Sequence, residues 1–353
     1  MQPLIINQID FSPFKAPLLK PFNFAGNSIL ERRGHYLTIK TSEGLSAQGE
    51  IAPLEGISPE TIRRIKHEME EIRSYLIELN VPRQKDELLD MLRKEPHLLY
   101  LCGSMRFAVE SAILTLAAKA ANQSLAEFLG ADLNDVQTAV LLQGTYQEVV
   151  ADVKKFLLQG VKVFKLKVGD RNIALDVKKI NDIRALLEGE SYLRLDGNRV
   201  WSLKEACIFA QLVGNQRIDF IEEPINDLTQ LDSFYQQTRM RIALDETLMV
   251  VRSGIHAPAR CSSPLAEHEG VIAYVLKPMI LGLIPCLDWI EEANLLKRKA
   301  IISSAFESPV GFKVLANLAC LSGQIAGLGT ERWFKYSNPI VGENGIIKKE
   351  FLI

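Results

Sequence analysis

At 353 residues the chain is too long for one ordinary core, so two domains are expected. A net charge of −2 with 24% charged residues gives no basic excess for a nucleic-acid partner. The five cysteines (Cys102, Cys207, Cys261, Cys286 and Cys320) are scattered and never form a C-x-x-C pair, which excludes a disulfide framework or a zinc site as the organising feature.

The start Met-Gln-Pro, with Asp10 soon after, does not read as a secretory leader, and no apolar run approaches membrane-spanning length. A cytoplasmic protein without membrane contact is therefore expected. Residues 1 to about 57 alternate in the β manner. Residues 36–41 lead into the turn Ser42-Glu43-Gly44-Leu45 and residues 46–51 follow, a hairpin signal for a small antiparallel sheet. Ser58-Pro59 is expected to cap a long helix, with serine at the N-cap and proline at the first helical position. Its period runs through Ile65, Met69, Ile72 and Leu76. A second, amphipathic helix is expected over about 105–121. Ser124-Leu125-Ala126-Glu127 has capping-box spacing and opens a short third helix, ended by Gly130. Together these make an α+β unit over residues 1–132.

After Asp135 short apolar strands alternate with helical stretches, at 136–142, 163–168, 192–196, 218–222, 241–245, 272–277, 300–304 and 325–327. Eight strands spaced for helices between them predict a parallel sheet closed into an α/β barrel over residues 133–330. The stretch between Asp245 and Ile272 carries Gly254, Pro258 and Cys261-Ser262-Ser263-Pro264. It reads either as a degenerate helix or as an inserted loop, and residues 248–271 are a candidate lid. Residues 331–353 return to turn and strand character and are expected to pack back on the first domain.

Within the second strand, Val163-Phe164-Lys165-Leu166-Lys167-Val168-Gly169 sets two lysines two residues apart, on one face. Alone, the stretch reads as an edge strand with two solvated lysines. The ends of the following strands change that reading. They are Leu195-Asp196-Gly197-Asn198, Ile221-Glu222-Glu223-Pro224, Leu244-Asp245-Glu246 and Leu276-Lys277-Pro278. Successive strands thus end in lysine, acid, acid, acid and lysine, at the rim where such barrels carry their active sites. Three close carboxylates repel unless a cation joins them, and an all-oxygen site suits Mg²⁺. Two lysines crowded into a partly dry place lower a lysine pKa toward that of a usable base. The chemistry this serves is removal of a proton next to a substrate carboxylate, on a small molecule.

On these residues the chain resembles the enolase superfamily along essentially its whole length. The resemblance implies a modified (β/α)7β-like TIM barrel with an α+β capping domain. It also implies Asp196, Glu222 and Asp245 as metal ligands, with Glu223 as the alternative to Glu222. Lys167 is then the base, Lys165 its pKa-lowering neighbour, Lys277 the opposite lysine and Asn198 a support behind them. Mg²⁺ is the implied cofactor, with Mn²⁺ as a substitute. His35, His67, His97, His256 and His268 all lie away from the strand ends, so the branch with a histidine–aspartate base is disfavoured. The two-lysine pattern is similar to the muconate-cycloisomerase-like branch.

Within that branch several stretches resemble the o-succinylbenzoate synthase family. They are residues 49–58, residues 105–112, the motif Leu193-Arg194-Leu195-Asp196-Gly197-Asn198-Arg199-Val200-Trp201, and Ser303-Ser304-Ala305-Phe306-Glu307-Ser308-Pro309-Val310-Gly311. Gly197 stands where that family usually has alanine. The resemblance places Pro53, Leu54, Arg194, Ser303, Ser304 and Gly327 at the substrate. Free backbone N–H groups near Ser303 and Ser304 are expected to receive a succinyl carboxylate at a helix N-terminus. Phe24-Ala25-Gly26 is a further candidate contact. Gly327-Leu328-Gly329-Thr330 offers no carboxylate for a substrate ammonium, which disfavours dipeptide epimerisation. The implied reaction is dehydration of 2-succinyl-6-hydroxy-2,4-cyclohexadiene-1-carboxylate to 2-succinylbenzoate, in menaquinone synthesis. The rival readings are an N-succinylamino acid racemase and an inactive barrel kept as a binding module.

Overall fold

The structure, a computed structural model, describes residues 2–24, 27–169, 172–253, 264–335 and 340–353. The alternation at the start folds as a longer hairpin than residues 36–51 alone suggest. β1 (Leu4–Phe24) pairs antiparallel with β2 (Asn27–Thr41), and β2 pairs with β3 (Ser46–Ile51) through the expected turn. Ala25 and Gly26, in the candidate loop, lie outside the described residues. α1 (Ile62–Leu76) starts later than Ser58-Pro59 suggests. Thr61 is its N-cap and accepts from the Arg64 backbone N–H, whereas Ser58 Oγ accepts from Leu54 N and closes the preceding turn. β4 (Asn80–Val81) adds to β1, giving the order β3-β2-β1-β4. α2 (Lys85–Lys94) and α3 (Pro96–Leu99) have no counterpart in the sequence reading.

α4 (Gly103–Ala120) forms where a helix is expected, but it is not amphipathic. It is buried almost all round because it is wedged between the capping sheet and the barrel. A Cβ at Gly49 would come within 1.9 Å of Ala108 O, and one at Gly103 within 1.9 Å of Ile280 O. Its buried charges are paired. Arg106 Nε donates to Glu110 Oε1 at 2.5 Å, and Glu110 Oε2 accepts from Ile284 N at 2.8 Å. α5 (Leu125–Leu129) has the expected capping box of Ser124 and Glu127, and Gly130 ends it at φ +102°.

The strand expected at 136–142 is split. β5 (Val136–Gln137) pairs antiparallel with β13 (Ile346–Ile347), and only β6 (Val140–Leu142) enters the barrel. There follow α6 (Tyr146–Leu158), β7 (Val163–Lys167), α7 (Ile173–Leu186), β8 (Tyr192–Asp196), α8 (Leu203–Val213) and β9 (Ile218–Glu222). The series continues with α9 (Leu231–Thr238), β10 (Ile242–Leu244), α10 (Glu246–Ser253), β11 (Val271–Leu276), α11 (Pro278–Leu281), α12 (Leu283–Leu295), β12 (Lys299–Ile302) and α13 (Pro309–Ser322). Residues 254–263 of the candidate lid lie outside the described residues.

β6 to β12 form one parallel sheet in sequence order. The eighth strand is reduced to two parallel bridges, Thr138 to Ala326 and Ser303 to Gly327, which join the two edges. Gly329 lets the chain pass there, since a Cβ would stand 2.4 Å from Ala139 O. Phe334 bridges to Leu18 of β1 and Lys335 N donates to Pro17 O, so the C-terminal segment touches the capping sheet as well as β5. No helix among the described residues is long and apolar enough to cross a membrane.

Strand alternation decides what faces the barrel axis. Phe220, Ala243, Ala273, Val275 and Ile301 form a separate buried cluster, the apolar plug inside the barrel. Two residues further along β9, β10 and β11 from Phe220, Ala243 and Val275, on the same face, stand Glu222, Asp245 and Lys277. The charged layer therefore lies directly on the plug, toward the C-terminal ends of the strands.

Candidate active site

Lys165, Lys167, Asp196, Glu222, Asp245 and Lys277 come together at one end of the barrel, as the strand-end pattern implies. Lys165 Nζ lies 2.9 Å from Asp196 and 2.5 Å from Glu222, and Lys277 Nζ is paired with Asp245 Oδ2. Lys167 Nζ instead donates to Asn198 Oδ1 at 3.2 Å, and Asn198 Nδ2 donates to Glu246 Oε1 at 3.2 Å. Asn198 makes this bridge with a left-handed backbone, φ +42°. The register that pairs Lys167 with Asp196, and Asp196 with Glu222, sets these groups side by side on neighbouring strands.

The three carboxylates are each at most 4% exposed, so their charges are costly unless paired. Burial pushes Glu222 up to about 7, against the pull of Lys165, and the charges of Asp196 and Asp245 push the same way. Burial opposes ionisation of Asp196 too, but Lys165, Lys167 and Lys277 hold its carboxyl below the usual range. Lys165 is itself a firmly held ammonium. Burial lowers it, but Asp196, Glu222 and Asp245 outweigh that and hold it above the ordinary lysine value. It serves as counter-ion to two acids. Lys277 is raised likewise, with Asp245 overcoming burial.

Among the described residues no three carboxylate, histidine or cysteine side chains form a ready-made metal cage, because the two ammonium groups stand between the acids. The donor set nevertheless fits a hard cation. It is all oxygen, it is buried, and Glu246 Oε2 is a further buried oxygen without a hydrogen-bond partner beside it. Glu223 does not compete with Glu222. Its Oε1 accepts from the Asp245 and Thr247 backbone N–H groups, each at 2.8 Å, and its Oε2 from Thr247 Oγ1 at 2.9 Å and Arg199 Nε at 2.8 Å. Glu223 is thus saturated and builds the frame that holds Asp245. The sequence reading missed Glu246 as a site residue, although the doublet Asp245-Glu246 after a strand was its signal.

The residues placed at the substrate divide. Ser303 and Gly327 meet at the barrel's closure, where a Cβ on Gly327 would stand 2.9 Å from Ser303 Oγ. Pro53 and Leu54 lie in the loop after β3, held to the C-terminal end of the barrel by Arg32. Its guanidinium donates to the carbonyls of Ala52, Pro53 and Phe306. Leu54 is buried. Arg194 is not at the rim. It sits one inner-face step below Asp196, with its Nε 3.2 Å from Asp219, its Nη1 donating to Ile325 O at 2.8 Å and its guanidinium over the Phe220 ring. With Lys299, half-buried and 2.6 Å from Asp219, it forms an ion group toward the N-terminal side of the strands.

The expected free N–H groups near Ser303 and Ser304 are taken. Ser304 N donates to Gly327 O, Ala305 N to Glu307, Phe306 N to Ser304 Oγ, and Ser308 N and Gly311 N to Glu50. Ser304 Oγ itself donates to Glu307 Oε2 at 2.6 Å. The chain's own carboxylates fill the seat assigned to a succinyl group.

Residues 11–130 match the family model described as the mandelate racemase / muconate lactonizing enzyme N-terminal domain, and residues 148–254 match the enolase C-terminal domain-like model. The o-succinylbenzoate synthase of Aliivibrio salmonicida is 34% identical over 306 residues, 85% of this chain and 83% of that protein. Among solved structures, the L-Ala-D/L-Glu epimerase from Bacillus subtilis superposes with a TM-score of 0.81 at 22% identity, over 98% of this chain and 96% of that one. A dipeptide epimerase from Cytophaga hutchinsonii, complexed with Mg and the dipeptide D-Ala-L-Val, superposes at 0.79 and 23% identity, over 98% and 93%. At those identities the structures speak for the fold.

Proposed function

Because the chain belongs to the o-succinylbenzoate synthase family of the enolase superfamily, a family of lyases, we propose that it dehydrates 2-succinyl-6-hydroxy-2,4-cyclohexadiene-1-carboxylate to 2-succinylbenzoate. The observation that carries the reading is the division of labour among the three rim lysines. Lys165 and Lys277 are locked to carboxylates, whereas Lys167 has an amide partner and, among the described residues, no carboxylate within ion-pair distance. Of the three, Lys167 is thus the one not tied to the acids, and we assign it as the base.

Asp196, Glu222 and Asp245 would hold Mg²⁺, or Mn²⁺ in its place, which supplies Lewis-acid stabilisation of the charge that builds on the substrate carboxylate. Lys167 takes the ring proton next to that carboxylate as its neutral amine, and the bonding pair moves into the ring. The ammonium so formed returns a proton to the hydroxyl as the carbon–oxygen bond breaks, and water leaves from the same face. Lys277 stands across the site as a fixed positive charge. Asn198, held by Glu246, orients the Lys167 amine. The ring becomes aromatic, so the first proton transfer is the step the residues must assist.

The test is ultraviolet monitoring of the cyclohexadiene carboxylate with the purified protein, with Mg²⁺ and with EDTA. Lys167→Ala should lower the rate by about 10²–10⁴-fold, the usual worth of a positioned general base. Near-normal turnover in that variant would remove Lys167 from the role.

A further inference from the structure

The seam between capping domain and barrel holds a buried cluster that the proposed chemistry does not use. Glu50, at the end of β3, is fully buried. Its carboxylate accepts from Ser308 N at 2.9 and 3.1 Å, Ser308 Oγ at 2.6 Å and Gly311 N at 2.9 Å. Those donors form the N-terminal turn of α13, 258 residues or more along the chain and in the other domain. Position 311 is shaped for the contact, since a Cβ there would stand 2.7 Å from Glu50 Oε2. Tyr36 OH adds a bond to Ser308 Oγ at 3.0 Å. Arg32, one strand over, ties the loop after Glu50 to Phe306 O.

A helix N-terminus favours an anion, and ligands commonly supply it. Here the anion is built in. We propose that Glu50 is a positioning residue, an internal anion seated on α13 that fixes the 52–54 loop against residues 303–308 at the barrel mouth. The seat is a place where a small free carboxylate can replace the side chain. The proposal stands whatever reaction the site performs.

The charges around the seat make it proton-linked. Facing Glu50 are Arg32 and Tyr36 from β2 and Glu307 from the turn before α13, and Glu55 in the following loop acts on Arg32. On the packed helix α4, Arg106 and Glu110 neutralise each other, and Lys119 donates to Ser46 O; Lys313 is the cation on α13. Burial pushes Glu50 up to about 7, with Glu307 adding to the rise and the Ser308 and Gly311 bonds opposing it. An acid raised on folding contributes stability that is complete below its ordinary value of 4.5 and is lost as pH rises through about 7.

Glu50→Ala in the full chain should vacate the seat. Hydrogen exchange at the Ser308 and Gly311 amides should rise on the order of tenfold to a hundredfold, as expected when buried donors lose their acceptor. Sodium formate should then slow that exchange and raise the urea midpoint, while sodium chloride at equal ionic strength should not. A formate effect no larger than that of chloride overturns the proposal. If Glu50→Ala does not fold, Ser308→Ala decides. It removes one of the bonds that pull Glu50 down and should move the pH window of stability loss upward, whereas an unchanged window overturns the proposal.

Discussion

Glu223 offers the sharpest test of how the site is framed. Replacing it with alanine removes the acceptor of four bonds, from Asp245 N, Thr247 N, Thr247 Oγ1 and Arg199 Nε. Arg199 is 24% exposed and keeps Thr247 Oγ1 as an acceptor, so its share of the loss is discounted for solvent. The two backbone N–H groups are buried and have nowhere to turn, at about 1–3 kcal/mol each. With the lost packing of the side chain, Glu223→Ala should destabilise by about 3–6 kcal/mol, a large part of a typical folding free energy. Glu223→Gln keeps one oxygen for the two N–H groups but turns an amide NH2 toward Arg199, so it should cost roughly half as much. Urea unfolding followed by circular dichroism measures both. Isothermal titration with Mg²⁺ should also show weaker binding in each variant, because Asp245 is held through its own N–H. A loss below about 1 kcal/mol in Glu223→Ala, with Mg²⁺ affinity intact, would refute the framing argument.

Gly49→Ala should prevent correct seating of α4 on the capping sheet, because the added Cβ meets backbone, 1.9 Å from Ala108 O, and backbone cannot step aside. Its yield of soluble folded protein should collapse, whereas Gly44→Ala, in open space at φ +85°, should cost only about 1 kcal/mol. Soluble expression and thermal unfolding of the pair give the answer. Lys277→Arg separates the synthase from a racemase. Dehydration should survive in part, since the positive charge against Asp245 remains, while deuterium wash-in from heavy water into N-succinyl amino acids should stop. Equal loss of both would place Lys277 in proton transfer.

The barrel and its charged layer were legible because both follow from period two. Once a strand is assigned around Phe220, Ala243 or Val275, the residue two positions on must share its face, and that residue is Glu222, Asp245 or Lys277. The capping box at Ser124 and Glu127 was equally readable, being a bond over three residues. Where the sequence misled, a distant partner had overridden a local signal. Residues 136–142 look like one strand, but β13 claims the first two of them and only 140–142 reach the barrel. Arg194 sits in a motif beside Asp196, yet the same alternation that puts it inside the barrel sets it a step lower, where it shares Asp219 with Lys299.

The serine-rich segment after β12 shows why such overrides concentrate at the site. Ser303-Ser304 and the start of α13 have the composition of an anion cradle, and the donors are indeed present. Whether they are free depends on Glu50 and Glu307, and Glu50 lies in another domain. A short-range motif records the donors but not their acceptor. The consequence for substrate recognition is concrete. If the proposed reaction holds, the distal carboxylate of the substrate must be met elsewhere, and among the described residues Ser303 Oγ offers a hydroxyl on the inner face at the closure with Gly327. Ser304, whose hydroxyl is spent on Glu307, acts by holding that turn in place.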